Sequence, residues 1–223
     1  MKAWTVLSAA SLVLMSSGAA FAQDPVKVAA TTYTVVLDNP SVRVLRANVA
    51  PGAKTAMHSH PDSVVIPLGT AKVRFTMAEG KSEESELPNE SAMYTPAHTH
   101  SGENIGTTRV DVLIVEFKAP AAGTATVPSA RDNMAIKMLA EGPRAVVYRA
   151  TAEPTFSEPA GSTHEFDQIV IGLGPAPMSL AIDGKPAKTT WRRGDVQFIG
   201  RGVPHESKNT GSKPVDFVIV AIK

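Results

Sequence analysis

The sequence predicts an all-β protein, two jelly-roll barrels in tandem after a signal peptide. Three observations predict it. Short runs of alternating apolar and polar residues follow one another, with Pro- and Gly-marked turns between them. The second half of the chain repeats the first. All six histidines, His58, His60, His98, His100, His164 and His205, fall in the corresponding stretches of the two halves.

The leader comes first. Lys2 gives a positive start, Val6 to Met15 is an apolar run with small residues mixed in, and Ala20-Phe21-Ala22 is a small-x-small cleavage site before Gln23. The apolar run is too short, and too interrupted by Ser and Gly, to span a membrane. Residues 1–22 are assigned to the signal peptide, 23–120 to the first barrel, 121–130 to a linker and 131–223 to the second barrel. Export places the protein in the periplasm or outside the cell, with no stable membrane insertion after cleavage. The chain has no cysteine, so its core must hold without disulfides and thiol chemistry is excluded. Its 22 Lys and Arg stand against 21 Asp and Glu, with no basic patch, which argues against a nucleic-acid partner.

Tyr33 to Leu37 is a strand candidate, and Asp38-Asn39-Pro40 a turn by composition. Val42 to Val49 alternates as a half-buried strand does. Pro51-Gly52 turns the chain into a strand bearing His58 and His60, followed by Val64-Val65-Ile66. Lys72 to Met77 alternates again, Glu79-Gly80-Lys81 is a hairpin turn, and Lys81 to Glu86 is a charged, exposed strand or loop. Val110 to Phe117, VDVLIVEF, is the most apolar strand of this half. Ala119 to Ala130, rich in Ala, Pro, Thr and Gly, reads as the linker. The apolar residues Met134, Ile136, Met138 and Leu139 suggest a short helix over Arg131 to Ala140.

The repeat then begins. Val146 to Ala150 echoes Val44 to Ala47, and Asp167 to Gly174 echoes Asp62 to Gly69. His205 and Asn209 echo His100 and Asn104, and Phe217 to Ile222 echoes the strand that ends at Phe117. Trp191 is expected to cap the second barrel.

Residues i and i+2 of a strand share a face, so His58 and His60 aim both imidazoles into one space. His98 and His100 do the same if their segment is extended. Asp62 and Glu103 flank these rings as outer partners or as exposed loop residues. In the second half, the register that fits His164 to His60 puts Ser162 in the place of His58. Only His164 and His205 are then in position, with Glu165, Asp167 and Gln168 nearby, and two histidines fall short of the usual three protein ligands. A metal is therefore expected in the first barrel and not in the second. No nucleotide-binding loop, serine triad or paired-carboxylate signature is present.

Gly52, His58, His60 and Gly69, followed by Pro96, His100 and Asn104, resemble the two motifs of the cupin superfamily, and the duplication resembles its tandem, two-barrel members, the bicupins. The family's motif glutamate falls at Val64 or Val65 here, and its turn glycine is His98. The resemblance implies a divalent metal (Fe, Mn, Zn, Cu or Ni) on His58, His60 and His100; an extended Ala97 to His100 would make His98 a further ligand, whereas the family's turn at that place would send it outward. Two functions follow from it. One is a metal-dependent oxygenase or isomerase acting on a small organic substrate, anionic because the missing glutamate leaves the site more positive. The other is a non-catalytic periplasmic module that binds a metal or small ligand, its degenerate second barrel serving to pack or to form a homodimer.

Overall fold

The structure is a computed structural model that describes residues 23–121, 123–130 and 132–223. The predicted leader lies outside the described residues. A one-turn helix, α1 (Pro25–Val28), opens it, its N-terminus capped by the Asp24 side chain on the Val26 amide. Nine strands follow: β1 (Tyr33–Asp38), β2 (Val42–Val49), β3 (His58–His60), β4 (Ser63–Pro67), β5 (Ala71–Met77), β6 (Ser82–Leu87), β7 (Met93–Thr95), β8 (His98–Asn104) and β9 (Val110–Phe117). Nine more make the second half: β10 (Met134–Glu141), β11 (Ala145–Ala152), β12 (Ser157–Ser162), β13 (Asp167–Gly172), β14 (Met178–Ile182), β15 (Lys185–Lys188), β16 (Val196–Ile199), β17 (His205–Asn209) and β18 (Val215–Ile222).

Each half contributes one five-stranded and one four-stranded sheet. The orders are β1-β2-β9-β4-β7 and β3-β8-β5-β6 in the first half, and β10-β11-β18-β13-β16 and β12-β17-β14-β15 in the second. These are the same topology, strand for strand. The equivalence extends to side chains. Arg46 grips Asp111 with two hydrogen bonds of 2.8 and 2.7 Å, and Arg149 grips Asp216 in the same way at 3.2 and 2.7 Å. Asn104 donates to the carbonyls of Val49 and Thr108 and accepts from the Gly106 amide. Asn209 repeats this on Ala152, Lys213 and Gly211. The motif asparagines are therefore loop staples and not site groups.

β9 explains its own composition. Leu113, Val115 and Phe117 face one core, and Val110, Val112 and Ile114 face another. A strand buried on both faces reads as a continuous apolar run. The first of these cores is shared between the halves: Val42, Val44, Ile66, Leu113 and Val115 pack with Val147, Ile171, Val218, Val220 and their neighbours. The two five-stranded sheets thus lie back to back. Gly142 lies against the Tyr94 ring at this contact, where an added Cβ would sit 2.3 Å from ring carbons. Glu90 bridges the join by accepting from Arg149 and Arg193, and Arg193 also donates to the Leu68 carbonyl at 2.8 Å.

Two expectations need correction. Residues 134–141 form β10, not a helix. The apolar residues Met134, Ile136 and Met138 keep a strand's period of two, and Leu139 falls out of it because the pairing with β11 shifts between Met138 and Ala140. Trp191 does not cap an open end but is buried, its indole N–H donating to the Met178 carbonyl. The charged 82–87 stretch is a strand, β6, at the edge of its sheet, where charge protects an unpaired edge. Ala125, within the predicted linker, is buried against Tyr148, Ala150 and Phe166. Among the described residues no helix is long and apolar enough to cross a membrane.

Candidate metal centre

β3 and β8 pair antiparallel with His58 opposite His100, Ser59 opposite Thr99 and His60 opposite His98. Alternation puts all four rings on one face, while the Ser59 and Thr99 hydroxyls bond to each other at 2.6 Å on the other. His58, His60 and His100 are buried and offer ligand atoms that all lie within 4.8 Å of one another. His98 stacks on His100 with 4.7 Å between ring centroids, half-buried at the rim, and is not part of that set of three. Its Nδ1 donates to the Pro96 carbonyl at 2.7 Å.

The tautomers are set by neighbours. His58 Nδ1 donates to the Ala56 carbonyl at 2.7 Å, so its Nε2 is the acceptor, and the Tyr33 hydroxyl donates to it at 2.9 Å. His60 Nδ1 donates to Glu116 Oε1 at 2.7 Å, which turns its Nε2 toward the other rings. Glu116 Oε2 in turn accepts from Arg43 Nε at 2.6 Å, and Arg43 reaches Asp24 at 2.8 Å. This is the carboxylate–histidine arrangement that orients a metal-binding ring. Two buried ring nitrogens, His60 Nε2 and His100 Nδ1, have no hydrogen-bond partner. Buried polar atoms are rarely left so, and three imidazoles converging on one point fit a divalent ion.

Burial pushes the His100 ring down to about 2, with His58, His98 and His60 adding repulsion. Burial also lowers His58 and His98. All three rings are thereby kept neutral, as metal binding requires. Tyr33 is raised by burial and by the charge of Glu116, which keeps it a phenol. A histidine with a depressed folded pKa contributes stability above its unfolded value near 6.5, and that stability is lost as pH falls below it. Each such ring is worth up to about 1.4 kcal/mol per pH unit. His205 runs the other way, raised by the Glu158 carboxylate beside it, so one ring opposes three. The Tm of the metal-free protein should fall between pH 7 and pH 5, and His100→Phe should flatten the slope. Equal slopes in parent and variant would show that His100 does not carry the effect.

The His60, His98 and His100 rings form part of the wall of a cavity of about 420 Å³. Val65, Val73, Phe75, Leu87, Val112 and Ile114 supply much of the rest of its lining. Val65, where the family's motif glutamate was sought, is one of these wall residues. The lining contains no Lys or Arg, and its one carboxylate is the exposed Glu83. The flanking candidates do not face the rings. Asp62 accepts from the Tyr94 hydroxyl and the Ala97 amide, and Glu103 pairs with Arg74. The reading of residues alone missed Tyr33, Glu116 and Arg43. A glutamate inside the run VDVLIVEF was the available signal for Glu116.

In the second half, the count of two donors is corrected to three. Glu158, His164 and His205 offer ligand atoms within 4.8 Å of one another. Glu165 is exposed, and Asp167 accepts from the Ser41 hydroxyl and the Arg201 amide instead.

No protein-family model matches the sequence, and no curated protein matches it. Solved structures match in fold. A cupin 2 conserved barrel domain protein from Leptotrichia buccalis is 14% identical, with a TM-score of 0.57 over 86% of this chain and 88% of its own. Oxalate decarboxylase from B. subtilis is 14% identical, with a TM-score of 0.60 over 85% and 71%. Salicylate 1,2-dioxygenase from Pseudoaminobacter salicylatoxidans is 9% identical, with a TM-score of 0.60 over 82% and 70%.

Proposed function

From the cupin fold that this chain has, we propose an exported two-barrel protein whose first barrel, residues 23–120, holds a divalent metal on His58, His60 and His100. It acts on a small organic molecule that carries one anionic oxygen donor on an apolar body. The observation that carries this reading is the convergence of three buried imidazoles, two of which, His60 and His100, lie on the wall of an apolar cavity. Fe, Mn, Zn, Cu and Ni all suit such ligands. Oxalate decarboxylase, which shares the fold, has Mn(II) centres.

A metal there supplies a Lewis-acid or redox centre with open positions. The protein's own groups do the rest. Three neutral ligands leave the ion's charge uncompensated, which draws an anionic oxygen. The aliphatic walls hold the body of the substrate and exclude water. With no Lys or Arg in the lining, a second anionic group would have no partner, so a monoanion is favoured over a dicarboxylate. The Tyr33 hydroxyl donates to His58 Nε2 at 2.9 Å; with that nitrogen's lone pair given to a metal, the phenol proton is free for an anionic oxygen of the substrate. Glu116 keeps the His60 proton on Nδ1.

One observation favours the second reading, a binding module without turnover: among the described residues the lining offers only exposed Glu83 and the rim imidazole His98, outside the triad, as a general base. Metal analysis of the untagged protein, followed by oxygen uptake with phenols, aromatic monocarboxylates and enolisable ketones, tests both. Metal in the parent, lost from the first barrel in His100→Ala, together with turnover of a monoanion, is the expected result. A loaded first barrel with no turnover supports the module. Failure of the triad to take up any divalent ion would sink the metal reading.

A further inference from the structure

The second half has lost one of its histidines, and its backbone has changed at the same place. In the first half His58 stands opposite His100. At the equivalent place Ser162 stands opposite His205, and its hydroxyl turns back to its own Pro159 carbonyl. The β12–β17 register then slips between Glu158 and Ser162, with Gly161 at φ +82 inside the slip. Such a bulge re-aims side chains. Here it accompanies a glutamate, Glu158, whose carboxylate meets both remaining imidazoles.

The contact between Glu158 and His205 lacks something. His205 Nδ1 donates to the Val203 carbonyl at 3.1 Å, so in the neutral ring Nε2 presents its lone pair. That atom lies 3.5 Å from Glu158 Oε2, is buried and has no hydrogen-bond partner. Two acceptors so placed need a proton or a metal ion between them. The Ser207 hydroxyl donates to the carboxylate at 3.1 Å. Among the described residues no Lys or Arg lines the adjoining cavity to neutralise it. A shared proton would need only two groups, and His164 brings a third donor to the same point.

We propose that Glu158, His164 and His205 form a second divalent-cation site, with zinc the ion that a two-histidine, one-carboxylate set fits. The cavity beside it is about 90 Å³. That is room for an ion and a few waters, and far below the few hundred Å³ of a substrate pocket. The site therefore binds metal without an organic substrate, in contrast to the first half.

The test uses the full chain, stripped by a chelator and titrated with Zn²⁺ in equilibrium dialysis. Two zinc ions per chain are expected for the parent. His60→Ala/His100→Ala should retain one, and Glu158→Gln in that background should weaken zinc binding by at least about 100-fold, beyond the 10- to 100-fold effect of disturbing an outer partner. Zinc in the parent but none in His60→Ala/His100→Ala would overturn the second site and leave the proposed function standing. One zinc in both proteins would support the second site and remove the first. Should Glu158→Gln fail to fold, the visible absorption of Co²⁺ bound to His60→Ala/His100→Ala decides: absence of ligand-field bands overturns the proposal.

Discussion

Glu116→Ala is expected to destabilise the metal-free protein toward the lower end of about 3–5 kcal/mol, the loss seen when one partner of a buried ion pair is removed. The lower end applies because Arg43 keeps its contact with Asp24 and is partly exposed. The Glu116 side chain is 1% exposed and sits between a guanidinium and a buried imidazole, so its removal orphans two donors at once. Metal affinity should fall at the same time, by about 10- to 100-fold, because His60 loses the partner that fixes its tautomer. Glu116→Gln should show the second effect with less of the first, since the amide oxygen still accepts from His60 Nδ1. Urea denaturation and metal titration of both variants measure the two effects separately. A loss of stability under 1 kcal/mol in Glu116→Ala would mean that water or another group takes over at Arg43 and His60.

The second large effect concerns cutting the chain. Residues 23–121 or 123–223 expressed alone should not give a folded monomer. Each half contributes eight side chains to the shared core. Full burial of a Val, Leu or Ile is worth about 1.5–3 kcal/mol. Losing even half of that across eight residues consumes most of the 5–15 kcal/mol by which a domain is stable. Each fragment should aggregate, or pair through the exposed sheet, and mixing the two should restore a compact complex. Light scattering and circular dichroism of the fragments, separately and mixed, check this. A stable monomeric half with native β content would show that the shared core is not essential.

In the first half Val42 to Val49 and Lys72 to Met77 were legible by their alternation and Val110 to Phe117 as a continuous apolar run, and His58, His60 and His100 were legible because a spacing of two on a strand dictates a shared face. What stayed hidden has two physical causes. The first is slippage. Leu139 at the β10 shift mimicked a helical spacing, and Glu158 before the β12 shift fell outside the register that linked His164 to His60. A reading based on a constant period of two cannot follow a chain through a bulge. The second is distance along the chain. Tyr33 and Glu116 lie 25 and 56 residues from the histidines they touch, and no local pattern links them. Glu116 left the clearer trace, as a charge in a strand buried on both faces.

The back-to-back sheets have an evolutionary consequence. Equivalent positions of the two halves lie together in the shared core: Val115 and Val220, Leu113 and Val218, Ile66 and Ile171. A surface that meets its own counterpart is the mark of a two-fold dimer, here closed within one polypeptide. In a dimer of identical chains every mutation appears twice, so a change that improves one pocket is imposed on the other. Fusion removes that coupling and holds the partner at a fixed, high local concentration. One copy could then keep a roomy apolar chamber while its sister drifted, lost a histidine, recruited a glutamate and closed around a space several-fold smaller.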